Sequence, residues 1–201
     1  MSTQFANVHS GFRDAVHDAQ AVFRSVMRAM AQPALPVGLP SSLAPPAPLN
    51  ATTAAILLAL ADFETTLWLD APLAGTADVR QFASFHTGAR LVADAADAHF
   101  AIASAPQTMP ALGALNQGTP EYPDRSTTLI VQVAGFGGAG LLLRGPGIKG
   151  VCEFSFAGMR ADFARDLAGN RARFPCGVDI VLTGPAHVAA LPRSVRLATE
   201  G

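Results

Sequence analysis

The chain has 201 residues, half of them hydrophobic, and its formal net charge is −1. A chain of this length can bury one substantial core, because single cores stop growing only beyond about 250 residues. Its 14 basic residues form no cluster interleaved with aromatic side chains, so the composition does not favour nucleic-acid binding. We therefore expect a single domain over residues 10–201, preceded by a loose tail at residues 1–9.

Targeting signals and cysteine usage point to a cytoplasmic location. The N-terminus has no apolar signal core, and the most apolar run, residues 54–61, is far shorter than the ~20 residues that span a bilayer. Cys152 and Cys176 are too few for a disulfide framework or a cysteine-rich zinc site, and we expect two buried thiols. The expected protein therefore contacts neither a membrane nor a nucleic acid.

The first helix is predicted over residues 14–32. Asp14 suits the N-cap, and Pro33 disfavours helical geometry at the residue before it. Apolar residues recur at helical spacing along this segment and form a stripe: Val16, Ala19, Phe23, Val26 or Met27, and Met30. Charged residues lie off the stripe, which is typical of an amphipathic helix whose apolar face packs on a core.

Helices and strands alternate along most of the remaining chain. Further helices are predicted at residues 50–62 (capped by Asn50 or Thr52), 76–88, 110–116 and after Gly158, where Met159, Phe163 and Leu167 form an apolar face. Strands are predicted at residues 36–39, 66–69, 99–103, 152–156, 177–183 and 194–198. In the third helix Val79, Phe82 and Phe85 share a face, and Gly88 suits a left-handed helix end.

Residues 118–149 look like the centre of the fold. Residues 127–133 are rich in β-branched side chains, and glycines at 135–140 separate them from the apolar run 141–143. This pattern predicts a buried β-hairpin in the middle of the sheet. Strands separated by helices around one hairpin indicate an α/β fold, a three-layer α/β/α domain with a mixed sheet.

The residues show no complete catalytic motif, and the histidine spacing matches no metal motif. Several residues are candidate anion or partner contacts, each with a structural alternative: His86, Arg125, Arg144, Gly145 and Gly147. A histidine at a helix end often caps the last carbonyls, and glycine-rich bends can form amide nests for anions. The alternatives are a capping role for His86 and tight turns for the other four residues.

Several segments taken together resemble the PhnH family, a subunit of the bacterial carbon-phosphorus lyase core complex. They run in the family's order: residues 11–14, 19–20, 23–24, 58–69, 85–89, 122–129, 145–148, 170–179 and 190–193. Two departures are Ala15, where the family often has proline, and Ala34, where it often has glycine. Both affect local backbone preference and no chemical role.

The resemblance implies a structural subunit in organophosphonate catabolism that forms a homodimer and joins the sister subunits PhnG, PhnI and PhnJ. It implies support for the formation of ribose 1-phosphonate 5-triphosphate from phosphonate and ATP, with no catalytic residue to carry over. The implied fold is similar to the large domain of pyridoxal-phosphate-dependent transferases without the cofactor site. The alternative is a stand-alone enzyme or a binding module for a phosphorylated small molecule.

The cofactor question has an independent answer in the composition. A pyridoxal-phosphate enzyme needs a lysine for its Schiff base, and Lys149 is the only lysine in the chain. It directly follows the turn-forming residues 145–148. We therefore expect no cofactor and no metal.

Overall fold

The computed structural model describes residues 9–39 and 41–198, which build a seven-stranded and a three-stranded sheet. Five α-helices form in this part of the chain: α1 (Ala15–Ala31), α2 (Ala51–Leu60), α3 (Ala71–Gly75), α4 (Ala77–Thr87) and α5 (Phe163–Arg171). The strands of the two sheets are β1 (Val37–Gly38), β2 (Thr66–Leu69), β3 (Arg90–Leu91), β4 (Phe100–Ala103), β5 (Thr128–Gln132), β6 (Phe136–Arg144), β7 (Cys152–Phe156), β8 (Asp179–Thr183), β9 (His187–Leu191) and β10 (Arg196–Leu197).

The large sheet has the strand order β1-β9-β8-β5-β4-β2-β3. Its pairs from β8 across to β3 are parallel, whereas β9 runs antiparallel to both β8 and β1. This arrangement confirms the predicted α/β fold with a mixed sheet. The central strands are buried on both faces, as expected for parallel strands that are covered on each side.

Alternate residues of the central strands supply two separate cores. Ile130 and Val181 face a core that contains α1, α2 and α4, whereas Leu129 and Val131 face a second core. That second core is covered by α5 together with β6 and β7. The predicted helical layer on this side is therefore only partly right, because a three-stranded sheet with the order β10-β6-β7 supplies much of the cover.

The predicted hairpin of residues 127–133 and 141–143 is wrong in its pairing. Strand β5 lies between β4 and β8, so both of its hydrogen-bonding edges are occupied by parallel neighbours. Strand β6 instead leaves the large sheet and pairs antiparallel with β7. Most of β6 is not buried, since its glycines offer no side chain to a core and only Leu143 is fully covered. The centre of the fold is therefore β5 alone.

Helix α1 forms where it was predicted, but the face that it buries is rotated from the predicted stripe. Asp14 caps the helix by accepting hydrogen bonds from the amides of the next turn. The fully buried residues are Val22, Val26 and Ala29. Two residues of the predicted stripe are instead exposed to solvent, namely Val16 (63%) and Phe23 (49%); of the two alternatives Val26 and Met27, Val26 is buried and Met27 is 50% exposed. An apolar flank of α1 therefore lies uncovered.

Two predicted helix caps are confirmed, whereas other local predictions need correction. Asn50 is the cap of α2, its side chain accepting from the Thr53 amide at 2.7 Å, and Gly88 ends α4 in the left-handed conformation. Phe85 of α4 is 67% exposed and does not share the buried face. The helix predicted at residues 110–116 is a single 3₁₀ turn, Leu112–Ala114. The strand predicted at residues 194–198 forms as β10, which pairs with β6 in the small sheet.

Two strands and one short helix that the sequence pattern did not indicate complete the fold: β3, β9 and α3. None of the helices in residues 9–39 and 41–198 combines the length and apolar character needed to cross a bilayer.

The proposed tail at residues 1–9 lies outside the described residues, except for His9. That residue is tied to the fold, because its Nδ1 lies 2.7 Å from the Ala44 carbonyl oxygen.

Candidate functional site

Open α/β sheets bind ligands at the carboxyl ends of their strands, where the strand order reverses. Here the order reverses between β2 and β4, and Asp70 directly follows β2. Its carboxylate is buried and accepts from the Ser104 amide (2.6 Å), the Ser104 hydroxyl (2.7 Å) and the Thr108 hydroxyl (2.5 Å). It also caps α3 through the Leu73 amide. With four donors, this carboxylate anchors two strand ends and is not a free base.

The next pair of strand ends is closed by a second polar cluster. Gln132 ends β5, and its Oε1 accepts from the Asn50 amide at 2.6 Å while its Nε2 donates to the Pro48 carbonyl. The hydroxyls of Thr53 and Thr183 lie 2.6 Å apart in a buried contact. These bonds fasten the start of α2 onto the carboxyl edge of β5 and β8. The polar side chains at these strand ends are thus hydrogen-bonded within the fold.

An arginine–carboxylate pair lies at the opposite, amino edge of the sheet. Arg193 binds both oxygens of Asp179, with Nη2 at 2.6 Å from Oδ2 and Nε at 3.2 Å from Oδ1. It also donates to the Ser126 hydroxyl (2.7 Å) and to the Pro123 carbonyl. One guanidinium therefore joins the starts of β5 and β8 to the chain after β9.

Asn170 extends this network. Its side chain forms two hydrogen bonds of 2.8 Å with the backbone of Val178, one donated and one accepted. Gly177 lies so close that a Cβ there would meet the Asn170 Oδ1 at 2.9 Å. Segments that resemble the PhnH family, residues 122–129, 170–179 and 190–193, thus meet at one place. Their shared role in the structure is architectural.

His86 is used within the fold. Its Nε2 donates to the His9 carbonyl oxygen at 2.7 Å, and its ring packs on Phe82 at 4.6 Å between centroids. A Cβ at Gly11 would lie 3.0 Å from its Nδ1. The ring therefore holds the segment before α1, rather than capping the carbonyls of its own helix.

Arg144, Gly145 and Gly147 lie at and beyond the end of β6, far from His86. The Gly147 backbone packs on the C-terminal end of α1, where a Cβ would be 2.2 Å from the Ala31 carbonyl oxygen. His86 contacts the chain just before the other end of α1, and the 17 residues of that helix span about 25 Å. Lys149 follows in the same loop and is exposed.

Arg125 occupies a third place, near the amino edge of the sheet. Its guanidinium carbon stacks 4.2 Å from the centroid of the exposed Tyr122 ring. The five candidate residues are therefore distributed over three regions, and the structure does not bring them together. Asp70 and Arg193, which hold the best-connected polar groups, were missed. Asp70 could have been suspected because it directly follows a strand, whereas Arg193 depends on a strand, β9, that was not predicted.

One open cavity lies beside His86, at the start of the described chain. It has a volume of about 470 Å³ and is lined in part by His9, Arg13 and Ser42. Arg13 is exposed, so the cavity presents polar groups to solvent without burying them. Within residues 9–39 and 41–198, no three histidine, cysteine or acidic side chains come close enough to hold a metal ion.

Comparisons with known proteins agree on one family. The family described as "Bacterial phosphonate metabolism protein (PhnH)" matches residues 10–198. The "Alpha-D-ribose 1-methylphosphonate 5-triphosphate synthase subunit PhnH" of Rhizobium meliloti (strain 1021) is 40% identical over 200 residues, covering 98% of this chain and 100% of that protein. The "Putative C-P lyase subunit protein HtxG" of Stutzerimonas stutzeri is 33% identical over 85 residues, covering 42% of this chain and 44% of its own length. The chain therefore belongs to the PhnH family of bacterial phosphonate metabolism proteins.

Proposed function

We propose that the protein is a structural subunit of a carbon-phosphorus lyase complex in organophosphonate catabolism. In this role it supports the formation of ribose 1-phosphonate 5-triphosphate from phosphonate and ATP. The observation that carries the proposal is the full-length similarity to a subunit of a ribose 1-methylphosphonate 5-triphosphate synthase. The identity of 40% extends over 98% of this chain and 100% of that relative.

A non-catalytic role agrees with the chemistry of the described residues. The buried carboxylate of Asp70 is saturated by donors, and the guanidinium of Arg193 is held by Asp179. A general base or an anion site needs a group that is free to meet a substrate. The strongest polar groups of this chain instead hold the sheet together, which leaves the surface to carry the function.

The proposed partners are the sister subunits PhnG, PhnI and PhnJ in the cytoplasm. Co-expression of the four chains, with an affinity tag on one sister subunit, tests this assignment. We expect the protein to co-purify in a constant ratio, and its deletion to abolish growth on methylphosphonate as the phosphorus source. Absence from the purified complex together with normal growth of the deletion strain would overturn the proposal.

We also propose that the isolated protein forms a homodimer. The support is exposed hydrophobic surface outside α1, which includes Phe63 (77% exposed) and Phe85 (67% exposed). Exposed apolar clusters of this kind are typical of protein contacts. Sedimentation equilibrium of the isolated chain checks it, and a single species at the mass of one chain, 20.7 kDa, would refute the dimer.

A binding module for a phosphorylated small molecule is the competing function. It would use His86, Arg125, Arg144, Gly145 and Gly147, which lie in three regions of the fold. Titration of the isolated protein with ATP or a ribose phosphate separates the two functions. Micromolar affinity that is lost in the Arg144→Ala variant would replace the structural role by a binding role.

The proposed fold relationship is to the large domain of pyridoxal-phosphate-dependent transferases, without the cofactor site. A mixed seven-stranded sheet with helices α1, α2 and α4 packed on one face supports it. The only lysine, Lys149, lies in an exposed loop between the two long strands of the small sheet. An absorbance band of an internal Schiff base in protein incubated with pyridoxal phosphate, lost in Lys149→Ala, would contradict the proposed lack of a cofactor site.

A further inference from the structure

A shallow groove runs between α1 and the C-terminal end of α2. It has a volume of about 280 Å³ and is lined by Ala19, Gln20, Phe23, Arg24 and Ala59. The two alanines form a floor that lets another backbone approach closely. Phe23 lines one side of the groove and is 49% exposed. This shape and chemistry suit an elongated apolar ligand.

The groove continues along the exposed flank of α1. Val16, Phe23 and Met27 recur at intervals of seven and four residues, so they lie on one side of the helix. Val16 and Met27 are eleven residues apart, so the exposed strip is about 16 Å long, or three turns of the helix. A helix that packs here would match apolar anchors at i, i+4 and i+7 to this spacing.

The basic residues beside the groove favour a bound helix that carries acidic side chains. Arg24 and Arg28 lie one turn apart, both are exposed, and neither forms an ion pair within residues 9–39 and 41–198. Helix α1 has no acidic residue after Asp18, and α2 has no charged residue at all. The C-terminal half of α1 therefore presents two unneutralised cations beside an apolar strip.

We infer that this groove, defined by Ala19, Gln20, Phe23, Arg24 and Ala59, binds an amphipathic helix of a sister subunit that carries acidic residues on one flank. The apolar face of that helix packs on Phe23 and the alanine floor, and its carboxylates face Arg24 and Arg28. The inference rests on the proposed function, because it assumes that sister subunits bind this chain.

The test titrates the full chain onto an immobilised subcomplex of PhnG, PhnI and PhnJ. Phe23→Ser and Ala59→Trp should each weaken binding at least ~10-fold, as expected for residues at the centre of an interface. Leu142→Ser is the matched control, because Leu142 of β6 is exposed to the same extent, 50% against 49% for Phe23. Circular dichroism and thermal melting establish that each variant is folded.

Charge reversal tests the acidic flank separately. The double variant Arg24→Glu with Arg28→Glu should have a lower association rate constant, and that rate constant should depend less on salt concentration. The reason is that charges at the rim of an interface mainly change the rate at which the two proteins meet in the right orientation. Arg165→Glu, an exposed arginine on α5, is the control and should leave both quantities unchanged. A double variant that associates like the wild type would overturn the acidic partner.

The outcomes separate this inference from the proposed function. If the wild type does not bind the subcomplex at all, the proposed function fails and the groove assignment fails with it. If the wild type binds and the groove variants bind equally well, only the groove assignment fails. If those variants keep their binding to the subcomplex but become monomeric in sedimentation, the occupant is a second copy of this chain and the inference is overturned.

Discussion

Arg193 and Asp179 form a bidentate ion pair at the amino edge of the large sheet, with side chains that are only 15% and 17% exposed. The same guanidinium reaches the Ser126 hydroxyl and the Pro123 carbonyl, and the Arg193 amide donates to Asp179 at 2.8 Å. The pair thus joins three chain segments that are distant in sequence. Removing either partner leaves the other as a nearly buried, uncompensated charge.

Replacing Arg193 by methionine should lower the free energy of unfolding by about 3 kcal/mol, the usual loss when one member of a buried pair is removed. Urea denaturation measures it. Arg173→Met, at an exposed arginine, should change the stability little. The double variant Arg193→Met with Asp179→Leu should cost less than the two single changes together, because no unpaired charge remains. Strict additivity would contradict the proposed coupling.

Asp70→Asn should destabilise the protein by about 2 kcal/mol, because an amide group places a donor against groups that already donate. The carboxylate accepts from the Ser104 amide and from two hydroxyls, and the backbone amide cannot reorient. Asp124→Asn, at an exposed turn, is the control. Chemical denaturation measures the free energy of unfolding of both variants. Equal values for Asp70→Asn and Asp124→Asn would exclude an anchoring role for Asp70.

Gly147 and Gly150 provide a matched pair for backbone contact. Both have positive φ, 82° and 73°, but a Cβ at Gly147 would meet the Ala31 carbonyl at 2.2 Å whereas a Cβ at Gly150 would meet nothing within 4 Å. Gly150→Ala should therefore cost only the ~1 kcal/mol of the left-handed conformation. Gly147→Ala should cost clearly more, since the loop must move away from α1. Thermal melting of the two variants compares them directly.

Ala34 adopts φ of +64°, the conformation that glycine prefers, at a position where the resemblance led us to expect glycine. Ala34→Gly relieves about 1 kcal/mol of strain but loses a buried methyl group worth about 0.8 kcal/mol. The stability should therefore remain nearly unchanged. Ala29→Gly, in the buried face of α1, has no strain to relieve and should cost about 1.5 kcal/mol or more. A loss at Ala34 as large as at Ala29 would disprove the strain argument.

Hydrogen bonds from the His17 amide, and then from the His17 side chain, lower the pKa of Asp14 from its ordinary value of 3.8. Since the folded state holds the pKa below the unfolded value, Asp14 stabilises the fold above pH 3.8 and this contribution disappears as the pH falls through the lowered pKa. Asp14→Ala should therefore melt below the wild type at neutral pH. The difference should narrow in acid, and melting curves between pH 2 and pH 7 test this.

Local signals in the sequence were sufficient for most elements of the fold. Asp14 and Asn50 cap the helices that they were expected to cap, and Gly88 ends α4 as predicted. Each of these signals acts within a turn of the chain, so no knowledge of the neighbouring elements is needed. The alternation of helices and strands predicted the α/β fold, whereas the mixed sheet was predicted from a hairpin that does not form, and its antiparallel pairs involve β9 instead.

The candidate site was predictable only in part, because its important contacts join distant segments. His86 and Gly147 were chosen from local chemistry, yet each contacts an end of α1 that no sequence spacing reveals. Asp70 reaches Ser104 and Thr108, more than thirty residues away, through the parallel pairing of β2 and β4. Family resemblance identified the segments around Arg193, but their meeting at one edge is a property of the folded sheet.

The sequence by itself determined where most of the helices and strands form, that the fold is α/β and that the protein resembles the PhnH family. The tertiary structure decided the partners of β5 and β6, because both edges of β5 are taken by parallel strands from distant parts of the chain. It also decided which side of α1 is buried. Both apolar sides of that helix look alike in the sequence, and only the packing of α1 on α2 and β9 decides that Val16, Phe23 and Met27 remain exposed.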